Sequence, residues 1–283
     1  MKRAIAVAVV CLTASAALAH DFWLASSRWH VAPGATVIVT ANVGDDIYPK
    51  SESVTAPERV DSLRLVGPET KTLTPRFRTE GRSLAADVTL PSAAATYMVV
   101  MVVKGRFLSM EPDKFLEYLK EEGLDGVVAD VRRRNETAKP SRERYWRDAK
   151  TLIRAGSGSS AHVTRPVGLA AELVPDTDLT QARAGDTIGV RLLAGGTPVA
   201  NAQITLTASA PGEIKTRVWR ARTDANGHAK LTLAKQGPYL LTTVHMVRRE
   251  GETGEQAVDW ESYWCSLTFD TTNTGTTASS YSR

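Results

Sequence analysis

The sequence predicts a mainly β protein built from two β-sandwich domains, the first carrying a helical insertion. Three observations carry this reading. Short apolar or alternating runs, punctuated by glycine and proline, fill most of the 283 residues. The spacing turns helical after Met110. A glycine- and serine-rich break, Gly156-Ser157-Gly158-Ser159-Ser160, precedes a return to the β pattern.

Met1-Lys2-Arg3, the apolar run Ala4 to Ala16 and the small-x-small site Ala17-Leu18-Ala19 form a signal peptide over residues 1–19, cut before His20. The apolar run is shorter than the roughly 20 residues that span a bilayer, and no later stretch reaches that length, so the expected product is periplasmic and not membrane-embedded. Cys11 leaves with the peptide, since Ala8-Val9-Val10 lacks the small residue that lipid attachment expects. Cys265 then has no partner for an intramolecular disulfide and reads as a small buried hydrophobe. The formal charge of +4 includes Lys2 and Arg3, so the processed chain is nearly neutral and no nucleic-acid partner is expected.

Within 20–155, strands are expected over Asp21 to Trp29, Ala35 to Ala41, Val60 to Val66, Ser83 to Leu90 and Thr96 to Val103, with turns at Pro33-Gly34, Gly44, Gly67-Pro68 and Gly81. The helical segment is placed at 111–154. Phe115, Leu116 and Leu119 recur at helical spacing behind Pro112, and Gly123 ends that helix. Leu124, Val127, Val128 and Val131 form a second stripe, and Tyr145, Trp146, Ala149, Leu152 and Ile153 a third behind a Ser141 cap. Residues 156–165 are read as the linker, 166–270 as the second sandwich and 271–283 as a disordered tail.

The second half gives seven short strands: Val167 to Val174, Thr187 to Leu193, Ala202 to Ala208, Thr216 to Arg222, His228 to Ala234, Tyr239 to Val247 and Trp260 to Phe269. Thr223-Asp224-Ala225-Asn226-Gly227 joins two of them as a hairpin. This spacing describes an immunoglobulin- or transthyretin-like sandwich. Gly196-Thr197-Pro198-Val199-Ala200-Asn201-Ala202, the same hairpin and Gly237-Pro238-Tyr239 together resemble the carboxypeptidase-regulatory, transthyretin-like module, a pattern that speaks to fold and not to function.

Nearly the whole processed chain resembles a bacterial family of periplasmic proteins of unknown function labelled as components of nickel- or cobalt-type transport systems. The resemblance rests on His20-Asp21-Phe22-Trp23-Leu24, Phe115 to Leu124, Tyr145 to Lys150, Glu172-Leu173-Val174-Pro175, Val244-His245-Met246 and Trp260-Glu261-Ser262-Tyr263-Trp264. It implies metal handling beside a membrane importer and places a histidine in the strand of His245.

A leading His20 offers both an α-amine and an imidazole, which chelate one ion through a six-membered ring. Such nitrogen donors suit nickel, cobalt, copper and zinc, and bind better above neutrality, where protons compete less. A bidentate site is weak by itself, so a further ligand is expected, first from His245, with Asp21 able to add a carboxylate and Glu172 and His30 as lesser candidates. His245 shares a strand face with Tyr239, Leu241 and Thr243, and the plainer reading of it is a core histidine. His162 and His228 read as solvated side chains.

The resulting expectation is a periplasmic divalent-metal binder with nickel or cobalt favoured, assisting membrane uptake. Two other readings stay open. One is a copper-dependent oxidative enzyme with an amino-terminal histidine brace, and the other is a structural or adhesive β-module protein. The basic run Arg132 to Arg154 reads as a solvated helical face, and most of the tryptophans at 23, 29, 146, 219, 260 and 264 as core. No phosphate-binding glycine loop, Gly-x-Ser-x-Gly elbow or His-Glu-x-x-His motif occurs, which argues against nucleotide and hydrolase chemistry.

Overall fold

The computed structural model describes residues 20–44, 47, 51–208 and 217–271. The expected signal peptide and all of the expected tail except Thr271 lie outside the described residues. In chain order the strands are β1 (Asp21–Ser26), β2 (His30–Val31), β3 (Thr36–Gly44), β4 (Val60–Val66), β5 (Thr70–Leu73), β6 (Arg78–Glu80), β7 (Ser83–Thr89), β8 (Ala95–Val103) and β9 (Arg106–Met110). Helices α1 (Pro112–Glu121) and α2 (Asp125–Arg133) follow. Then come β10 (Ser141–Ala155), β11 (Ala171–Pro175), β12 (Thr187–Ala194), β13 (Thr197–Pro198), β14 (Gln203–Ala208), β15 (Arg217–Arg222), β16 (His228–Thr232), β17 (Pro238–Arg248) and β18 (Trp260–Asp270).

The chain is mainly β and forms sandwich layers, as its alternation predicts. The layers share a sheet. One ten-stranded sheet runs β15-β14-β17-β18-β10-β8-β4-β5, with β2 and β9 also paired to β10. A sheet of order β1-β3-β7-β6 packs on one face, where Phe22, Leu24, Val37 and Val39 meet Leu63, Val99, Met101 and Ile153. The sheet of β11, β12, β13 and β16 packs on the opposite face, where Leu173, Ile188 and Leu192 meet Met98, Val100, Leu152, Leu241 and Leu267. Successive residues of one strand point to opposite faces, so neighbours such as Val99 and Val100 serve different cores.

Helices α1 and α2 arise where the spacing predicts them, and they bury Phe115, Tyr118, Leu119, Val127, Val128 and Val131 against Val244, Met246, Trp260 and Trp264. The third expected helix is instead β10, fifteen residues at the centre of the large sheet. Its register runs parallel to β18 from Glu143 opposite Trp260 to Thr151 opposite Thr268. Both its faces are covered, so the polar-outside alternation that marks a half-exposed strand is missing. The residues that seemed helical divide between faces: Ala149 and Ile153 join one core and Leu152 the other.

The expected flexible linker is a packed connection. Gly156 donates its N–H to Val31 O at 3.0 Å, and Ser159 O accepts from Thr96 N at 3.1 Å. A Cβ on Gly158 would sit 1.5 Å from Ala94 O, so only glycine permits this approach.

Candidate functional site

His20 stands immediately before β1, which pairs with β3 so that Asp21 lies opposite Gly44. The connection after β3 folds back on the end of that strand. Buried Ser51 accepts the Val43 N–H at 2.9 Å, and Glu52 donates its own N–H to Val43 O at 2.6 Å. These bonds bring Glu52 Oε2 to 3.1 Å from His20 Nε2. Gly44 leaves the space: a Cβ there would lie 3.3 Å from Glu52 Cγ. The His20 side chain is 19% exposed and that of Glu52 50%, so the pair is held yet open to solvent on the carboxylate side.

The geometry has a chemical consequence. When Nε2–H is donated to Glu52, Nδ1 carries the ring's lone pair, and Nδ1 is the ring nitrogen that closes a six-membered chelate with the α-nitrogen of the same residue. A carboxylate that accepts the far N–H of a ligating imidazole fixes its tautomer and orientation and raises its basicity. Glu52 therefore serves best as an orienting group. In a chain beginning at His20 the donor set would fit a nitrogen-preferring divalent ion, and Asp21, half-buried at the same strand start, lies beside it.

The other expected ligands lie elsewhere. Leu240 of β17 packs with Trp23 of β1, and strand alternation turns His245 to the opposite face, where its ring stacks with Tyr263 at 6.5 Å between centroids. The central sheet thus stands between His20 and His245. Burial lowers the pKa of His245, as expected for a neutral histidine in the sheet. Glu172 is buried against Lys150 Nζ at 2.9 Å and accepts N–H bonds from Val167 and Gly168, which occupy both its oxygens. Burial alone would raise its carboxyl, but Lys150 and the two amides hold it below the ordinary range. His30 Nε2 lies 3.2 Å from Asp270 O. His162, expected to be solvated, is half-buried with its ring nitrogen against Thr96 O. His228 Nδ1 sits 3.4 Å from Asp176 on a more open surface. Among the described residues no three His, Cys, Asp or Glu side chains gather as a metal cage.

Two further features were not visible in the sequence. At the start of β14, a cleft of about 470 Å3 opens between α2, the β13–β14 turn and β17, lined by Asp125, Asn201, Gln203, His245, Arg248 and Trp260. The Arg248 guanidinium spans its wall, 4.2 Å from the centroid of the Trp260 ring and bonded to Asp130 at 2.5 Å and Glu136 at 2.7 Å. Two acids lie within the central sheet. Glu143 bonds Ser262 and Tyr118, leaves Oε2 without a hydrogen-bond partner, and is pushed up by burial to about 7. Asp148 is likewise pushed up to about 7 by burial, and Cys265 opposite it in β18 is a buried thiol raised by the same cause.

Fold and site together define a class: a shared-sheet β-sandwich protein that presents a histidine–carboxylate pair at the start of its first strand. The chain belongs to the DUF4198 family, a domain of unknown function, whose profile matches residues 17–247. None of the curated proteins matches it. Among solved structures it is similar to a tetra-tandem repeat from the extending region of a large adhesion protein, at 10% identity and TM-score 0.21, covering 89% of this chain and 50% of that one. It is also similar to Salmonella alpha-2-macroglobulin reacted with methylamine, at 13% identity and TM-score 0.24, covering 90% and 15%. The Escherichia coli adhesin FdeC gives 13% identity and TM-score 0.21, covering 90% and 64%. The chain thus spans less than two thirds of each of these structures, and at these scores they carry no argument about function.

Proposed function

We propose that this protein is exported, cut before His20, and binds a divalent transition-metal ion of the nickel or cobalt type in the periplasm, in support of a membrane uptake system. The observation that supports the reading is the 3.1 Å contact between His20 Nε2 and Glu52 Oε2, because a carboxylate on Nε2 directs ligation to Nδ1, the ring nitrogen that can chelate together with the α-nitrogen of the same residue. The bound ion would supply Lewis acidity. The protein's residues hold it, with Nδ1 and the amine as donors and Glu52 orienting the ring. The importer part of the reading rests on family resemblance, since no helix among the described residues is long and apolar enough to cross a membrane itself.

Isothermal titration of protein starting at His20 with nickel, cobalt, copper and zinc tests the reading. The expected affinity is tighter than about 10 µM, near −7 kcal/mol. Glu52→Gln should weaken it about 10- to 100-fold, the usual effect of losing a carboxylate behind a ligating histidine. His245→Ala should leave it unchanged. Equal binding by protein carrying one extra leading residue would refute the chelate.

A further inference from the structure

The cleft beside α2 has a strand edge as its floor. Arg249, the residue after β17, donates its N–H to Asp259 O at 2.8 Å, in the register that sets Arg248 opposite Trp260. Along an antiparallel strand, successive residues bond the neighbour on one side and then the neighbour on the other. His245 and Val247 therefore bond β18, and the backbone N–H and C=O of Met246 and Arg248 point away from it. On that outer side β14 pairs with Tyr239 to Thr242 and goes no further along β17. The chain before β14 turns aside, giving the Asn201 N–H to Thr223 O and the Ala202 N–H to Thr223 Oγ1. Among the described residues nothing bonds the outward backbone groups of Met246 and Arg248.

Any open sheet has edges at its ends, but this one belongs to an inner strand and is walled. The start of α2 stands on one side and the turn from Val199 to Gln203 on the other, around the space of about 470 Å3. Met246 is 7% exposed, so its outward amide faces the cleft and not open water. Buried backbone groups without a partner are costly and are normally bonded. Those of Met246 and Arg248 repeat about 7 Å apart along the strand, the interval at which an extended polypeptide offers its own N–H and C=O. The walls specify the segment further. A residue paired with Met246 turns its side chain to the helix side, against the buried Val127 and Met246 side chains. The charged side chains of the cleft are matched already: Asp125 with Arg222, Asp130 with Arg248 and Arg134 with Glu250. An incoming charge would find no free counter-charge there, whereas an uncharged segment leaves these pairs intact.

We infer that the cleft takes up an extended, uncharged peptide segment of a partner protein as an added antiparallel strand, paired with Met246 and Arg248 of β17 and carrying an apolar side chain opposite Met246. Main-chain bonds to the free edge supply the affinity, and the contact with Val127 and Met246 supplies the selectivity. Neither His20 nor a metal ion takes part.

Blocked heptapeptides of threonine with leucine, aspartate or lysine at the centre serve as probes, titrated into the processed chain and followed by amide NMR. The leucine peptide should move the Met246 and Arg248 amide signals and bind roughly tenfold tighter than the two charged peptides. Methylating the central leucine nitrogen removes the N–H that meets Met246 O and should cost roughly tenfold in affinity. Gly126→Phe, at a position where a Cβ meets nothing within 4 Å, places a ring in the cleft wall and should weaken binding by a similar factor. Should that variant fail to fold, the methylated peptide against the parent chain carries the test. Affinity should be the same with and without nickel and with one extra residue before His20, which separates this outcome from that of the metal titration. Unmoved Met246 and Arg248 signals, binding indifferent to methylation, or a dimer through this edge that excludes the peptides would overturn the proposal.

Discussion

Raising the pH from about 5.5 to about 8.5 should destabilise this protein through two buried acids. Glu143 and Asp148 are each pushed up by burial to about 7, well above the range of an unfolded chain. A carboxyl raised by folding binds its proton more tightly in the native state, so its stabilisation is complete below the unfolded pKa and fades as pH rises through the folded one. For a folded value near 7, the stability lost between these two pH values is about 2 kcal/mol per group. Urea unfolding across the range, followed by circular dichroism, measures the sum. The difference between the parent and Glu143→Gln, or between the parent and Asp148→Asn, isolates each acid from other titrations. That control matters for His245, whose lowered pKa gives the opposite slope at the acid end. The orphaned Glu143 Oε2 and Asp148 Oδ1 provide the structural reason for the neutral forms. A parent whose stability is flat or rising between about pH 6.5 and 8.5, with unchanged slopes in both variants, would refute the reasoning.

Three other outcomes follow from the same interior. Glu172→Leu leaves the Lys150 ammonium without its partner at 2% exposure and should cost about 3–5 kcal/mol in urea unfolding, while Lys150→Met/Glu172→Leu should cost much less than the sum of the single changes. Gly158→Ala drives a Cβ into Ala94 O and should cost more than about 2 kcal/mol, whereas Gly168→Ala, with open space but a φ of +80°, should cost about 1 kcal/mol. The Cys265 thiol should react with a water-soluble thiol reagent only at the rate of global opening, because it is buried and its pKa is raised; fast labelling of native protein would contradict this.

Much of the fold is legible in the sequence because most strands alternate and the two short helices carry clear stripes. The third stripe misleads because β10 is covered on both faces and carries Asp148 and Lys150 inward. Burial of charge there depends on Glu172 and Arg64, which lie far away in sequence. Composition likewise suggests a loose linker at Gly156 to Ser160, whereas those glycines serve close backbone approach. At the candidate site the expected cleavage point draws attention to His20, but nothing in the sequence marks Glu52. It occupies an irregular connection, and its position depends on backbone bonds to Val43. Alternation correctly groups His245 with Tyr239, Leu241 and Thr243, yet period alone does not tell which side of a sheet a face occupies.

The pairing of β10 with β18 joins residues 117 positions apart in parallel, and among the described strands β18 is the link by which β17, β14 and β15 reach β10 in the large sheet. Until β18 has been synthesised, the edge of β10 that receives it is unpaired and β17, β14 and β15 are not joined to the rest of the sheet. Native structure therefore arrives late, after nearly the entire chain is available. The same topology makes loss of β18 more damaging than loss of any strand that pairs on one side alone.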